Sequence, residues 1–456
     1  MTNMGQQAIF PPFLQRAGSP GRTTEAGARL TIVDALVYMR IAVIGTGISG
    51  LGAAWLLRRR HEVHVFEARD RLGGHAYTVE VSEGGRRLGL DTGFLVFNED
   101  NYPNLTRLFE HLGVESRETD MSFAVRCERC DLEYSGLSAY SLFAQLRNLW
   151  RPSHYRMLAD VARFGTVGQH ALATRAVQGR TLGQFLSATA FGQAFARHYL
   201  IPMAAALWST GTGRVEEFPV ESLLRFFDTH GLLRVRDRLK WRTVVGGSRR
   251  YVDAITRDFA GRIHRGTAVR GVARTGGGVR LYFDGDNLES FDRVVIATHA
   301  DQALALLRDP SREEVDLLSP WRYSRNDTWL HSDRTHLPRR RAAWGSWNYM
   351  LPDCRRPGSS VSVSYYLNGL QGLNSDRDYV VTLNPSRSPA AETVIRRMTY
   401  RHPIFTAESV ATQDELPTLN GSRDTFFCGA YFRYGFHEDG LRSAVQVAEA
   451  FGISMP

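Results

Sequence analysis

The chain carries one lysine, Lys240, among its 56 basic residues, so arginine supplies nearly all of a formal net charge of +9. No nucleic-acid reader motif accompanies this charge, and no nucleic-acid partner is expected. Four cysteines in 456 residues exclude a disulfide-stapled scaffold. Cys127-Glu-Arg-Cys130 has the spacing of redox and zinc knuckles, but zinc needs two further ligands, and neither Cys354 nor Cys428 brings a second knuckle. The stretch from Phe123 to Tyr134 alternates like two short strands, so the motif reads as a hairpin turn and no metal site is expected. No apolar run approaches the roughly 18 residues of a membrane-spanning helix. Internal repeats and low-complexity tracts are absent as well. Residues 1–38 lack the basic start and compact apolar core of a signal peptide, and they read as a disordered N-terminal extension ahead of Met39.

What is present begins with Ile41-Ala-Val-Ile-Gly45-Thr-Gly47-Ile-Ser-Gly50. An apolar strand runs into three glycines at the spacing that seats a pyrophosphate on a helix N-terminus. Gly45 makes the turn, Gly47 lets the phosphate approach the backbone, and Gly50 lets the helix pack on the strand. Free N–H groups and the positive end of the helix dipole then hold the anion. The next strand, Val63-His-Val-Phe66, ends at Glu67, about 20 residues past the glycines, where a carboxylate accepts ribose hydroxyls. That charge would repel a 2′-phosphate, which disfavours NADP.

A second glycine pair, Gly73 and Gly74, follows within a few residues, as a flavin dinucleotide requires and a plain NAD fold does not. Here the chain resembles the flavin-containing amine oxidase superfamily. Its signature Glu-Ala-x-x-Arg-x-Gly-Gly is matched by Glu67, Ala68, Arg71, Gly73 and Gly74. Asp91-Thr-Gly93-Phe94, Val245-Gly246-Gly247-Ser248, Val294-Val-Ile-Ala297-Thr298 and Phe427-Cys-Gly429-Ala430 agree with it, so the resemblance runs from about Met39 to the C-terminus. It implies an α/β fold, with a Rossmann-like FAD-binding domain and an α+β substrate domain. The FAD domain would be discontinuous, over 39–110, 240–310 and 415–456, and the substrate domain would take 111–239 and 311–414. Within the latter, Leu142, Phe143, Leu146, Leu149 and Trp150 recur at helical spacing, and Pro152 starts a further helix.

The resemblance assigns FAD to Gly45, Gly47, Ile48, Ser49 and Gly50 in the first turn, and to Glu67, Ala68 and Arg69 beside the ribose. Arg71, Leu72, Gly73, Gly74 and His75 follow, with Thr92, Gly93, Phe94, Val269, Ala297 and Thr298. Gly429, Ala430, Phe436 and His437 complete the set. Ala430 stands where the superfamily often has an acid, so ribityl contacts there must come from backbone. No residue occupies the superfamily's cysteine tether, since Cys428 precedes Gly429, and non-covalent FAD is expected. In the superfamily, the helix matching the run after Gly440 points its N-terminus at the flavin edge that becomes negative on reduction. Glu438 and His437, just before it, are the candidate catalytic groups, with capping of the helix by Glu438 and Asp439 as the alternative. Polar groups near the flavin would include Asn98, Trp347, Asn348, Tyr365, Tyr366 and Asn368.

Many amine oxidases hold a water at flavin N5 with a lysine. Lys240 lies before Trp241-Arg-Thr-Val-Val, away from any substrate-domain strand, which argues against amine oxidation. Arginines and aromatics interleave over Arg147–Arg156 and Arg225–Trp241, a composition suited to an anionic bilayer surface or to a solvated basic face. Asn101-Tyr-Pro-Asn-Leu105, Ser346-Trp-Asn-Tyr349 and Gly435-Phe-His-Glu-Asp-Gly440 are similar to a bacterial branch that acts with cyclopropane-type fatty-acid methyltransferases, including the desaturase of furan fatty acid formation. The expected activity is FAD-dependent introduction of a double bond into an unsaturated or methyl-branched acyl chain of a phospholipid. The expected setting is cytoplasmic, at the periphery of the inner membrane, with oxygen or a quinone as electron acceptor. An amine oxidase, a carotenoid-type desaturase, an FAD-dependent double-bond isomerase and a non-catalytic FAD-bound scaffold for a lipid-modifying enzyme remain the alternatives.

Overall fold

The structure is a computed structural model that describes residues 38–208, 215–233, 239–285, 287–355 and 362–456. Residues 1–37, which make up nearly all of the expected extension, and Arg234, Arg236 and Arg238 of the second basic cluster lie outside the described residues. Tyr38–Pro456 forms a compact unit.

Its centre is a five-stranded parallel sheet in the order Thr425–Phe427, Arg293–Ile296, Arg40–Ile44, Glu62–Phe66, Ile263–His264. Ile41, Ala42, Val43 and Ile44 are all buried, the near-continuous apolar run that a parallel strand covered on both faces requires. Helix Ile48–Leu57 follows the first strand and is buried along its whole length. It packs against the last helix, His437–Ala450, at a distance that two glycines permit. A Cβ on Gly52 would lie 2.6 Å from Leu441 Cδ1, and one on Gly440 would lie 2.7 Å from Ser49 Oγ.

A second sheet has seven strands in the order Val394–Ile404, Arg322–His331, Val380–Leu383, Ser362–Tyr366, Trp347–Leu351, Phe123–Cys127, Leu132–Ser135. All neighbours in it are antiparallel except Phe123–Cys127 with Trp347–Leu351. Ala196–Leu200 and helix Ile201–Trp208 lie against it, and helices Pro152–Ala173 and Val220–Thr229 share a core with it that includes Phe164, Phe195, Phe226 and Phe227. Gly271–Arg274, Val279–Tyr282 and Leu288–Phe291 form a small three-stranded sheet, separate from Ile263–His264 at the edge of the parallel sheet.

The largest departure from the sequence pattern lies between residues 137 and 155. The helical spacing of Leu142, Leu146, Leu149 and Trp150 predicts an amphipathic helix with these residues inward. Instead, a short helix at Ala139–Leu142 is followed by a 3-10 turn at Leu146–Trp150, and the polarity is reversed. Gln145 and Asn148 are fully buried, while Leu146 is 76% and Trp150 85% exposed. The inversion has a local cause. Gln145 Oε1 accepts from the Glu133 N–H (3.0 Å) and Asn148 Nδ2 donates to the Glu133 carbonyl (3.1 Å), pairing the backbone of edge strand Leu132–Ser135. In the second basic cluster, Phe226 and Phe227 are core residues and Arg225 is paired with Glu221 four residues earlier, so its described part is an ordinary amphipathic helix.

Candidate functional site

The site starts where the first strand of the parallel sheet meets helix Ile48–Leu57. Gly45 adopts φ +102°, a left-handed value that glycine alone takes without strain. A Cβ on Gly50 would stand 1.9 Å from the Gly45 carbonyl oxygen, whereas one on Gly47 would meet nothing within 4 Å. The turn is thus closed on the sheet side and open on the Gly47 side. Gly47 caps the helix without a side-chain hydrogen bond, and its first turn has no acid. The N–H groups there are left for an anion. Glu67 is held at the neighbouring strand end. Its carboxylate accepts from the Thr46 N–H (3.1 Å), the Thr46 hydroxyl and the Arg69 N–H (3.0 Å). Ala68 and Arg69 continue this turn, and Thr267 N–H bonds the Glu67 carbonyl (2.8 Å), which brings the loop bearing Val269 alongside.

The second glycine loop is tied to the first. Gly73 N–H donates to the Thr46 carbonyl (3.0 Å), and a Cβ on Gly74 would come within 3.0 Å of Gly47 Cα. Arg71 fastens this loop. Its guanidinium donates to the Gly74 carbonyl (2.7 Å) and lies 4.2 Å from the Tyr77 ring centroid, while Leu72 packs on the core beneath. Thr92 bonds the Tyr77 carbonyl (2.9 Å) and the Tyr400 hydroxyl (2.7 Å). Phe94 N–H bonds the His75 carbonyl (3.0 Å), and Gly93 lets those backbones meet, since a Cβ there would sit 2.2 Å from the same oxygen.

Four histidines converge beyond this loop. His75 stacks on Tyr400 with centroids 4.9 Å apart, and lies 5.3 Å from His402 and 6.4 Å from His299. His299 follows Ala297 and Thr298 at the end of its strand and stacks on Tyr323 at 4.3 Å. His437 stacks on Phe94 at 3.9 Å and shares a 3.2 Å hydrogen bond with Tyr251. Burial lowers all four: His299 and His402 to about 4, His437 to about 3, and His75 well below its ordinary value. All are neutral at pH 7. His299, Tyr400 and His402 were not among the residues the sequence pointed to. The alternation of Tyr400 and His402 on one face of strand Val394–Ile404 is the signal that could have found them.

The two candidate catalytic groups are both engaged by the surrounding structure. Glu438 accepts from Asn104 N–H (3.1 Å), Asn104 Nδ2 (2.6 Å) and Leu105 N–H (3.0 Å). Both its oxygens are taken up at the start of helix Pro103–Leu112, so it is a helix cap and not a free base. His437 is held neutral by burial, which lowers its basicity. Asp439 accepts from the Phe436 N–H (2.9 Å) and starts the last helix. Gly429 N–H bonds Ser443 Oγ (2.9 Å) of that helix, and Ala430 begins the turn that follows. Asn348 bonds Gly345 and Ser364, Asn368 bonds Arg377 and Tyr379, and Tyr366 bonds Asp378, so these three are engaged within the fold, while Asn98 accepts from Asn101 N–H and keeps a buried Nδ2 without a partner. Lys240 is 79% exposed and pairs with Glu118 at 3.2 Å.

The residues present fit FAD. The glycine turn is open at Gly47, Glu67 is fixed at the ribose position, and His75 Nε2 and His299 Nδ1 are buried without a hydrogen-bond partner. Fold and site together define an FAD-dependent oxidoreductase. The family model of flavin containing amine oxidoreductases matches residues 48–325, more than half of the chain, and the chain belongs to that family. It is 33% identical to amine oxidase [flavin-containing] A of Sus scrofa over 122 residues, which are 25% of this chain and 20% of that oxidase. The chain therefore matches well under two thirds of that relative's length. Among solved structures, it is similar to putrescine oxidase bound to putrescine (TM-score 0.64, 15% identity, covering 91% of this chain and 99% of the other). A fatty acid isomerase from P. acnes, described as producing CLA, is equally similar (TM-score 0.64, 16% identity, covering 89% and 97%).

Proposed function

We propose that the protein binds at an anionic membrane surface and introduces a double bond into an unsaturated or methyl-branched acyl chain of a phospholipid. The observation that carries this reading is the inverted segment between residues 137 and 155. Leu137, Tyr140, Leu146, Leu149, Trp150 and Tyr155 are exposed there together, and Arg147, Arg151 and Arg156 stand among them. Water-facing leucine and tryptophan over buried glutamine and asparagine is costly for a solvated surface. It suits an interface where the apolar side chains enter the acyl boundary and guanidiniums meet phosphates.

Support also comes from the site. The four converging imidazoles carry no charge at pH 7, so this wall offers an ammonium substrate no counter-charge. The chain's one lysine is at the surface. The isomerase similarity adds a relative of the same fold whose described substrate is a fatty acid. FAD, when bound, supplies the hydride acceptor, and oxygen or a quinone takes the electrons onward. Gly45, Gly47 and the first helix turn would hold the pyrophosphate and Glu67 the ribose, and the His75 loop, Phe94 and His437 would line the approach to the flavin.

The test is aerobic incubation with phosphatidylglycerol vesicles bearing cis-unsaturated and methyl-branched chains, followed by mass spectrometry of the released acyl groups. Desaturation lowers the acyl mass by two hydrogens. Unchanged mass with a shifted double bond would make the enzyme an isomerase, and unchanged chains would overturn the acyl reading.

A further inference from the structure

Cys127 and Cys130 do not stand alone in the fold. Cys127 ends strand Phe123–Cys127, and Cys130 lies in the turn before Leu132–Ser135. In that turn Glu128 N–H donates to Leu351 O (2.9 Å) and Arg129 N–H to Pro352 O (3.2 Å), which fixes it against the loop that carries Cys354. From the other side comes Ala196–Leu200, a π-helical segment that places His198 inward. Such π-helical turns are uncommon and occur often at functional sites. The sulfurs of Cys127, Cys130 and Cys354 and a ring nitrogen of His198 all lie within 4.8 Å of one another.

We infer that these four residues form a structural zinc site of Cys₃His type. Sulfurs about 2.3 Å from a tetrahedral zinc stand about 3.8 Å apart, so the four atoms need only small shifts to close on one ion. Cys130 Sγ and Cys354 Sγ are 3.2 Å apart, well beyond the roughly 2.0 Å of a disulfide, and the cysteines are free thiols. His198 Nε2 is a buried nitrogen with no hydrogen-bond partner, an unmet demand that a metal would satisfy. Three soft thiolates with one imidazole in a tetrahedral set select zinc over harder cations. Four protein ligands leave no open position, so the ion is structural and not a Lewis acid for the flavin chemistry. Binding releases three thiol protons and leaves one net negative charge at the site. Arg151, whose guanidinium donates to the Cys130 carbonyl (2.9 Å), lies beside that charge.

The placement gives the ion a purpose. It joins the edge hairpin of the seven-stranded sheet, the loop after Trp347–Leu351 and the helical segment that carries His198. It also braces the exposed apolar turn, because Arg151 follows Trp150 directly and Arg147 pairs with Asp131 next to Cys130. Sequence spacing showed only half of this set, since Cys354 is isolated in sequence and His198 sits in a helical run.

Elemental analysis of the full-length holoprotein, purified without added metal or chelator, should find one zinc per chain beside one FAD. X-ray absorption at the zinc edge should show three sulfurs at about 2.3 Å and one nitrogen at about 2.0 Å. Cobalt exchanged into the site should give the visible bands of tetrahedral thiolate-bound Co²⁺. Cys130→Ser and His198→Ala should each lose most of the zinc, and Cys428→Ser, elsewhere in the fold, should keep it. Should both ligand variants fail to fold, the wild-type zinc content and absorption spectrum still decide. Wild-type protein with no bound metal, with iron in place of zinc, or with a Cys130–Cys354 disulfide would overturn the assignment.

Discussion

Ser248 donates to Asp91 through both its N–H (2.9 Å) and its hydroxyl (2.7 Å), across 157 residues of chain. Thr78 Oγ1 donates to the same carboxylate at 2.6 Å and Gln371 Nε2 at 3.3 Å. The Asp91–Phe94 motif and the Val245–Ser248 turn are thereby fixed to each other. Asp91→Ala strands these buried donors and should cost about 2–4 kcal/mol. The expected outcome is a lower melting temperature and reduced FAD content on purification. Asp91→Asn, which keeps an acceptor oxygen, should lose less.

Glu438→Ala should destabilise the fold by about 1–3 kcal/mol, since it leaves the first N–H groups of helix Pro103–Leu112 uncapped. The rate of flavin reduction in a single turnover should remain within about threefold of wild type. A collapse of that rate at unchanged FAD content would restore Glu438 to the chemistry.

Acid should destabilise the protein more steeply than a chain with exposed histidines. His299, His402 and His437 have folded-state values near 4, 4 and 3, and His75 is lowered too, all below an ordinary value near 6.5. The stability they confer is complete above pH 6.5 and is lost as pH falls toward 4, by about 1–2 kcal/mol each. Asp91 and Asp439, raised by burial to about 6 and about 7, act in the opposite sense, conferring stability at low pH that is lost as pH rises through those values. Four histidines outweigh two acids, so the melting temperature should fall between pH 7 and pH 5. Converting His299 and His402 to Gln should flatten that decline.

If the segment between residues 137 and 155 meets lipid, the protein should sediment with phosphatidylglycerol vesicles at physiological salt. Arg147→Gln with Arg156→Gln should weaken binding by about 1 kcal/mol per charge. Trp150→Ala with Leu146→Ala should remove the binding that persists in 1 M salt, where the Debye length is about 3 Å. FAD content should be unchanged in both double variants. Absence of sedimentation by wild type would contradict the interfacial role.

The first half of the site was legible because its chemistry is local. Gly45, Gly47, Gly50 and Glu67 lie in one strand–turn–helix–strand unit, and their spacing alone fixes the geometry. Contacts that depend on chain return were not legible. The partners of Glu438 were hidden because Asn104 and Leu105, which occupy it, are more than 330 residues away. The Leu142–Trp150 spacing read as a buried helix face, because nothing in that stretch announces that Gln145 and Asn148 are claimed by the backbone at Glu133. The second pair of ligands beside Cys127 and Cys130 was hidden for the same reason.

The most direct measurement is the absorbance of the bound flavin under anaerobic conditions as vesicle lipids are added. Phosphatidylglycerol with unsaturated or methyl-branched chains should bleach the oxidised flavin band in proportion to the double bonds formed. Saturated straight-chain lipid and simple amines should leave the band intact. Bleaching by amines alone, or by none of these compounds, would contradict acyl-chain oxidation by this flavoprotein.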